Sequence, residues 1–298
     1  MKTIGILLAI MLVLTGCGVD KSKITIEKEV GLLQTVKERG YLVCGVNAGL
    51  PGFASEDDEG NWSGLDVDFC RAVSAAVFGD ADKVEYLGLN AAQRFPTLAS
   101  GSIDILSRNT TWTISRDVNL MFEFAGVSYY DGQGFLVPAS LGITSARGLD
   151  GAFVCIASET TSELNLNDYF AENNMAYKPI YVEGNKDAKA KLFAGECDVF
   201  TTDASGLASA RAGAENPDDW VVLPEIISKE PLGPLVRQGD QEWEDVVRWT
   251  LFAMINAEEM GITSRNVDDL LAAQSKEVKR LLGVEGYMGP MLGLGMKF

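Results

Sequence analysis

The eight residues from Asn109 to Arg116 gather an amide, several hydroxyls and one guanidinium just after a short apolar run. Arginine grips a carboxylate through two parallel hydrogen bonds, so this donor set suits a small anion. Thr111 and Thr113 precede Arg116 by five and three positions, and on a helical turn these groups converge. The competing assignment is a surface arginine paired with Asp117 or Glu123, a weak interaction. Asn109 and the threonines supply more donors than an ordinary turn needs, which favours the anion. A second cluster, Ser158 to Glu163, stands where a helix should begin, and a helix start offers free N–H groups and a positive dipole end. Thr160 and Thr161 are expected to cap that helix while their amides hold the same anion from the other side, although plain capping by Thr161 or Ser162 is also open. Asp203 follows a further apolar run and suits an ammonium group; the alternative is an N-cap for the helix running on to Arg211. Phe53, in Leu-Pro-Gly-Phe, is a candidate to lie over a ligand, and Trp62 is open between that role and packing.

The elements that must position these groups follow from periodicity. The pattern predicts a helix over 31–40, a strand over 42–46, a helix over 65–78 with apolar residues at 65, 69, 73, 76 and 77, and a strand over 84–87. A helix over 91–100 and a strand over 103–106 complete a βαβαβ order, which implies a mainly parallel α/β sheet. Residues 128–138, rich in aromatics and glycine, read as a crossing into a second lobe. There the series restarts, with strands at 153–156, 178–182 and 198–201 and helices from Ser162 and over 185–194. Residues 221–236 read as the return crossing, ahead of an amphipathic helix over 242–259. One lobe therefore comprises 31–134 and 230–298, the other 135–229, joined by a two-stranded hinge. Ligands of such sheets sit outside the carboxyl ends of the strands. A carboxylate grip and an ammonium partner facing each other across a hinge describe an α-amino acid site.

Composition narrows the function further. Histidine is absent, which removes histidine-based triads and most zinc enzymes, and no metal or cofactor is expected. The formal net charge of −17 repels nucleic acid and anionic membrane, so neither is an expected partner. Met1 and Lys2 open an apolar run over 4–14 that is too short to span a bilayer, and residues 1–16 read as a signal peptide. The run closes on Leu14-Thr15-Gly16-Cys17, which suits acylation of Cys17, with 17–30 as a tether; an ordinary signal peptide with an incidental cysteine is the alternative. Of five cysteines, one is then for lipid and four for bridges, paired as Cys44 with Cys70 and Cys155 with Cys197 from their matching places around βα units.

Four segments carry a family likeness: Leu-Val-Cys-Gly-Val-Asn at 42–47, Gly-Leu-Asp-Val-Asp-Phe-Cys-Arg-Ala at 64–72, Arg-Asn-Thr-Thr-Trp-Thr at 108–113 and Glu-Ile-Ile-Ser-Lys-Glu-Pro-Leu-Gly-Pro at 225–234. With them the chain, over roughly 32–293, closely resembles the bacterial extracellular solute-binding proteins of ABC importers for polar amino acids, in particular the general L-amino-acid-binding proteins. The resemblance implies the two-lobed type II periplasmic-binding-protein fold. It also implies that Arg116 binds the α-carboxylate with help from Thr111 and the amides near Thr160. Asp203 and the backbone of Asn109 would hold the α-amino group, and Phe53 would cover the side chain. Family members usually have glycine before the paired threonines; this chain has Glu159, a charge beside the expected carboxylate site. Long members also continue past the residue where this sequence stops, with helices that pack on the first lobe.

The expected function is therefore an exported, monomeric, non-enzymatic receptor in the periplasm or cell envelope. It would close on L-amino acids of many kinds and deliver them to ABC permease subunits in the inner membrane. The alternative is an enzyme on the same fold, of the cyclohexadienyl or arogenate dehydratase kind, for which Glu159 is the unusual candidate acid. A sensor domain is a weaker third reading.

Overall fold

A computed structural model describes residues 30–272 and 275–295. The expected signal peptide, Cys17 and nearly all of the tether lie outside these residues. In chain order, α1 (Leu32–Arg39) leads into β1 (Leu42–Asn47), a small hairpin of β2 (Ser55–Glu56) and β3 (Trp62–Ser63), and α2 (Leu65–Phe78). Next come β4 (Val84–Leu89), α3 (Ala91–Ala99), β5 (Ile105–Leu106), β6 (Phe122–Phe124) and β7 (Tyr129–Asp131). The second series is β8 (Gln133–Pro138), β9 (Phe153–Ala157), α4 (Thr161–Glu172), β10 (Lys178–Val182), α5 (Asn185–Phe193), β11 (Val199–Asp203), α6 (Ala204–Ala212) and β12 (Trp220–Val222). The chain returns through β13 (Glu230–Leu232) and β14 (Leu235–Arg237) to α7 (Gln241–Glu259) and the short helices α8 (Val267–Leu270), α9 (Lys276–Leu281) and α10 (Met288–Met291).

Two five-stranded sheets result, ordered β4-β1-β5-β14-β6 and β10-β9-β11-β8-β12. In each, three parallel strands form the βα series, and the remaining pairings are antiparallel. The sheets are thus more mixed than the βαβ order alone predicts, because strands from the crossing regions add to their edges. The expected return crossing over 221–236 is likewise divided. β12 completes the second sheet, β14 joins the first, and the hinge pair is β7 with β13, antiparallel. The second sheet also takes up the chain at Gln133, before the expected start at 135.

Each element has a local cause. β1 is buried along nearly its whole length, as a central parallel strand between helical layers must be. α3 begins on a capping box in which Asn90 and Gln93 satisfy each other's backbone N–H. α7 begins where the Asp240 side chain accepts from the Trp243 N–H, and it buries Trp243 completely, with the indole N–H donating to the Asp104 carbonyl. The first core gathers Leu33, Val46, Val73, Ile105, Trp243 and Val247 around β1. The second gathers Phe135, Val154, Ile156, Leu166, Phe170 and Val199. Disulfides join Cys44 of β1 to Cys70 of α2, and Cys155 of β9 to Cys197 just before β11. The first fastens a parallel strand to its own following helix, and the second ties β9 to the segment leading into its parallel neighbour β11. No helix among the described residues is long and apolar enough to cross a membrane.

Candidate functional site

The carboxyl ends of the parallel strands in both sheets reach one small cavity of about 50 Å³. From the first sheet come Asn47 at the end of β1 and Arg108, Asn109, Thr111 and Arg116 beyond β5. From the second come Ala157 at the end of β9, Thr160 and Thr161 at the start of α4, and Thr202 and Asp203 at the end of β11.

Arg116 lies in a wide helical turn over Ser115–Asn119 and is buried, so it is not the surface arginine of the competing assignment. Asp117 instead accepts from the Trp112 indole at 2.7 Å, and Glu123 faces Arg248 at 3.5 Å. One Arg116 amino group donates to the Thr111 carbonyl at 2.7 Å. Burial lowers its pKa to about 10, opposed by the charges of Glu230 and Asp203. Asp203 occupies the N-cap position of α6 without capping it. Its carboxylate accepts from the Asn109 side-chain amide at 3.0 Å, while Asn109 accepts from Asn47 at 2.8 Å. The Asn109 side chain thus occupies the Asp203 carboxylate, and Asn109 and Asp203, the two residues expected to hold an α-amino group, stand together at the cavity. Burial raises the Asp203 pKa to about 7, against the stabilising Asn109 bond.

Three threonine hydroxyls near the site are engaged within the protein. Thr111 Oγ1 donates to Glu230 Oε2 at 2.5 Å, and Thr161 Oγ1 donates to the same oxygen at 3.0 Å. Thr113 Oγ1 accepts from the Arg116 backbone N–H at 3.3 Å and is absent from the cavity wall. Thr160 does cap α4, accepting from the Glu163 N–H at 3.2 Å, and lines the cavity beside Thr161. Phe53 does not reach the cavity. It packs with Leu50, Leu65 and Leu232 and meets Tyr129 edge-on at 5.2 Å, so it supports the hinge from the side. Trp62 packs against Tyr86. Glu159 is exposed and outside the cavity wall, with its backbone in the left-handed region at φ 59°. That conformation favours glycine, which accounts for the usual family residue there.

Glu230 and Arg94 are the main residues that sequence reasoning missed. Glu230, on the hinge strand β13, is 2 % exposed and accepts from Thr111, Thr161, Asn165 and Ser228. It thereby ties both lobes to the hinge. Its signal lay in the segment 225–234, noticed for its family likeness and not for its charge. Arg94 and Arg108 line the cavity beside Arg116, and both are buried. Arg94 occupies the inward stripe of α3 with Ala91 and Leu98, where an amphipathic helix should be apolar; that break in pattern was legible. Burial lowers the Arg108 pKa to about 10, and burial with the neighbouring Arg108 and Arg116 lowers that of Arg94 strongly.

A buried guanidinium and a buried carboxylate thus face one space from opposite sheets. The model of the bacterial extracellular solute-binding proteins, family 3, matches residues 42–265. The chain belongs to this family. It is 56% identical over 253 residues, 85% of this chain and 74% of the relative, to the general L-amino acid-binding periplasmic protein AapJ of Rhizobium johnstonii. It is 53% identical over 267 residues, 89% of this chain and 79% of the relative, to the glutamate/glutamine/aspartate/asparagine-binding protein BztA of Rhodobacter capsulatus. A solved periplasmic binding protein of an ABC transporter from Brucella ovis, with glutathione bound, superposes with a TM-score of 0.86 at 52% identity, covering 90% of this chain and 85% of that one. The fold of this family member is accordingly the two-lobed type II periplasmic-binding-protein fold.

Proposed function

We propose that the chain is the receptor subunit of an ABC importer, binding L-amino acids between its lobes and delivering them to inner-membrane permease subunits as a monomer. The observation that carries this reading is the pairing of Arg116 from one lobe with Asp203 from the other around one small polar cavity. Arg116 holds the α-carboxylate, Asp203 takes the α-ammonium in place of the Asn109 amide, and the α4 N-terminus at Thr160 and Thr161 adds donors. Two lobes touching one ligand drive closure. The family likeness to AapJ and BztA supports the substrate class. Acylation at Cys17 anchors the receptor to the envelope, and a Cys17→Ser variant should leave the membrane fraction.

The deciding experiment is calorimetric titration of the mature Cys17→Ser chain with a panel of L-amino acids and their D-forms. Binding of several L-forms and of no D-form is expected, and Arg116→Ala should weaken it at least about a hundredfold. Silence across the panel from a sample with an intact thermal transition would sink the reading. Glutathione belongs in the same panel, because a larger space of about 460 Å³ adjoins the cavity through Asn47, Arg108, Gly184 and Asn185. The Brucella relative carries that ligand. Bound ligand should be recovered unchanged after long incubation; turnover would favour the dehydratase alternative, whose candidate acid Glu159 is exposed.

A further inference from the structure

Glu230 rides with the first lobe, because the backbone of β13 is fastened to the segment 110–112. The Trp112 N–H donates to the Pro231 carbonyl at 2.8 Å, the Gly233 N–H donates to the Thr110 carbonyl at 3.1 Å, and Thr111 bridges to Leu232 between them. The Thr111 hydroxyl then donates to the Glu230 carboxylate itself. When the lobes part, Glu230 therefore stays with this segment.

Two of its bonds cross to the second lobe. Thr161 Oγ1 donates to Glu230 Oε2 at 3.0 Å, and Asn165 Nδ2 donates to Oε1 at 2.8 Å. Thr161 and Asn165 are four residues apart on α4, so their side chains share one face of the helix and offer a donor to each oxygen of one carboxylate. The contact is made on the first turns of α4, where the positive end of the helix dipole favours an anion. The fourth donor, Ser228, is local to the hinge and accepts from the Gln133 N–H at 3.2 Å. Opening therefore strips a buried carboxylate of two donors, which is costly. Asn165 is absent from the cavity wall, and the one proton on each of the Thr111 and Thr161 hydroxyls is directed at Glu230, so these bonds form without a ligand.

We propose that Glu230 and the Thr161–Asn165 pair of α4 form a latch that holds the cleft closed without ligand and so slows ligand entry. The inference rests on the amino-acid reading for its ligand and adds a restraint on access to that site. Ligand enters the open form, so a latched, empty closed form lowers the association rate in proportion to the open fraction. The same bonds stand in the liganded closed form, where they slow release. The latch thus governs both rates and has little effect on their ratio.

The test is stopped-flow tryptophan fluorescence of the mature chain with L-glutamate and L-glutamine as probes, together with small-angle scattering of the ligand-free chain. Asn165→Ala removes one crossing bond, touches neither the cavity nor the hinge strand, and suits a helix. It should raise the association and dissociation rate constants each about three- to tenfold, with affinity changing less than either. Its ligand-free radius of gyration should exceed that of the wild type. Loss of structure would raise only the dissociation rate, so an association rate that is unchanged or slower would overturn the latch, as would equal ligand-free radii. If Asn165→Ala lacks a thermal transition, Glu230→Gln is read by the same criteria. The scattering needs no ligand. Silence of folded wild type across the L-amino acid panel would bring down the amino-acid reading, and the radii alone would then decide the latch.

Discussion

Asp203 is a carboxylate that keeps its proton up to about pH 7, compared with 3.8 for an ordinary aspartate. Between those values the folded chain holds a proton that the unfolded chain has released. Through this group, stability therefore falls as pH rises from about 4 to about 7. Binding shows the opposite trend, since an ammonium requires the ionised carboxylate. Affinity for L-amino acids should rise about tenfold per pH unit up to about pH 7 and level off above it. Calorimetry at pH 6 in buffers of different ionisation enthalpy should register close to one proton released. A flat profile would show that the ammonium sits elsewhere. Glu159 gives an independent prediction at the same scale. A side chain at φ 59° carries a left-handed backbone penalty that glycine lacks, and the hydrogen bond from its backbone N–H to Glu163 survives substitution. Glu159→Gly should raise stability by roughly 1 kcal/mol, visible as a thermal midpoint a few degrees higher.

The hinge decides behaviour at the scale of elements. β7 and β13 pair over Tyr129–Asp131 and Glu230–Leu232, and Gly233 follows directly. A Cβ on Gly233 would stand 1.9 Å from the Gly126 carbonyl oxygen, so the two crossing segments approach as closely as backbones allow. Gly233→Ala must push them apart and should cost at least about 2 kcal/mol, readable as a lower denaturant midpoint. The disulfides act away from this region. Each closes a loop within one lobe, 26 residues apart in one case and 42 in the other, so neither restrains the hinge. They stiffen the lobes and leave the lobes free to rotate.

In the molecule as a whole, contacts across the cleft hold the lobes together. The Asn109–Asp203 bond is direct, and Glu230 joins Thr111 of the first lobe to Thr161 and Asn165 of the second. Each such bond shifts the balance between open and closed states by its differential strength, and ligand adds to the same balance. Asn109→Ala should leave the ligand-free chain more open. In small-angle scattering it should have a larger radius of gyration than the wild type, and it should shrink further when an L-amino acid is added. Identical radii with and without ligand, for both proteins, would rule out hinge closure.

Local chemistry made much of this protein readable from its sequence. Apolar periodicity located α2 over Leu65–Phe78 and β10 over Lys178–Val182, because those patterns need only one buried face to be legible. Arg116, Thr160 and Asp203 stand out by residue type next to strand ends or helix starts, where backbone geometry alone aims groups at a cleft. Tertiary structure decided the rest. Only the packed fold diverts the Thr111 and Thr161 hydroxyls to Glu230, which lies distant in sequence, and turns Phe53 toward the hinge. It also fixes the antiparallel strands at the sheet edges, which pair through partners that no local pattern encodes. The physical reason is range. Caps, turns and periodicity act within a few residues, whereas the pairing of a buried charge depends on which distant segments the fold brings beside it.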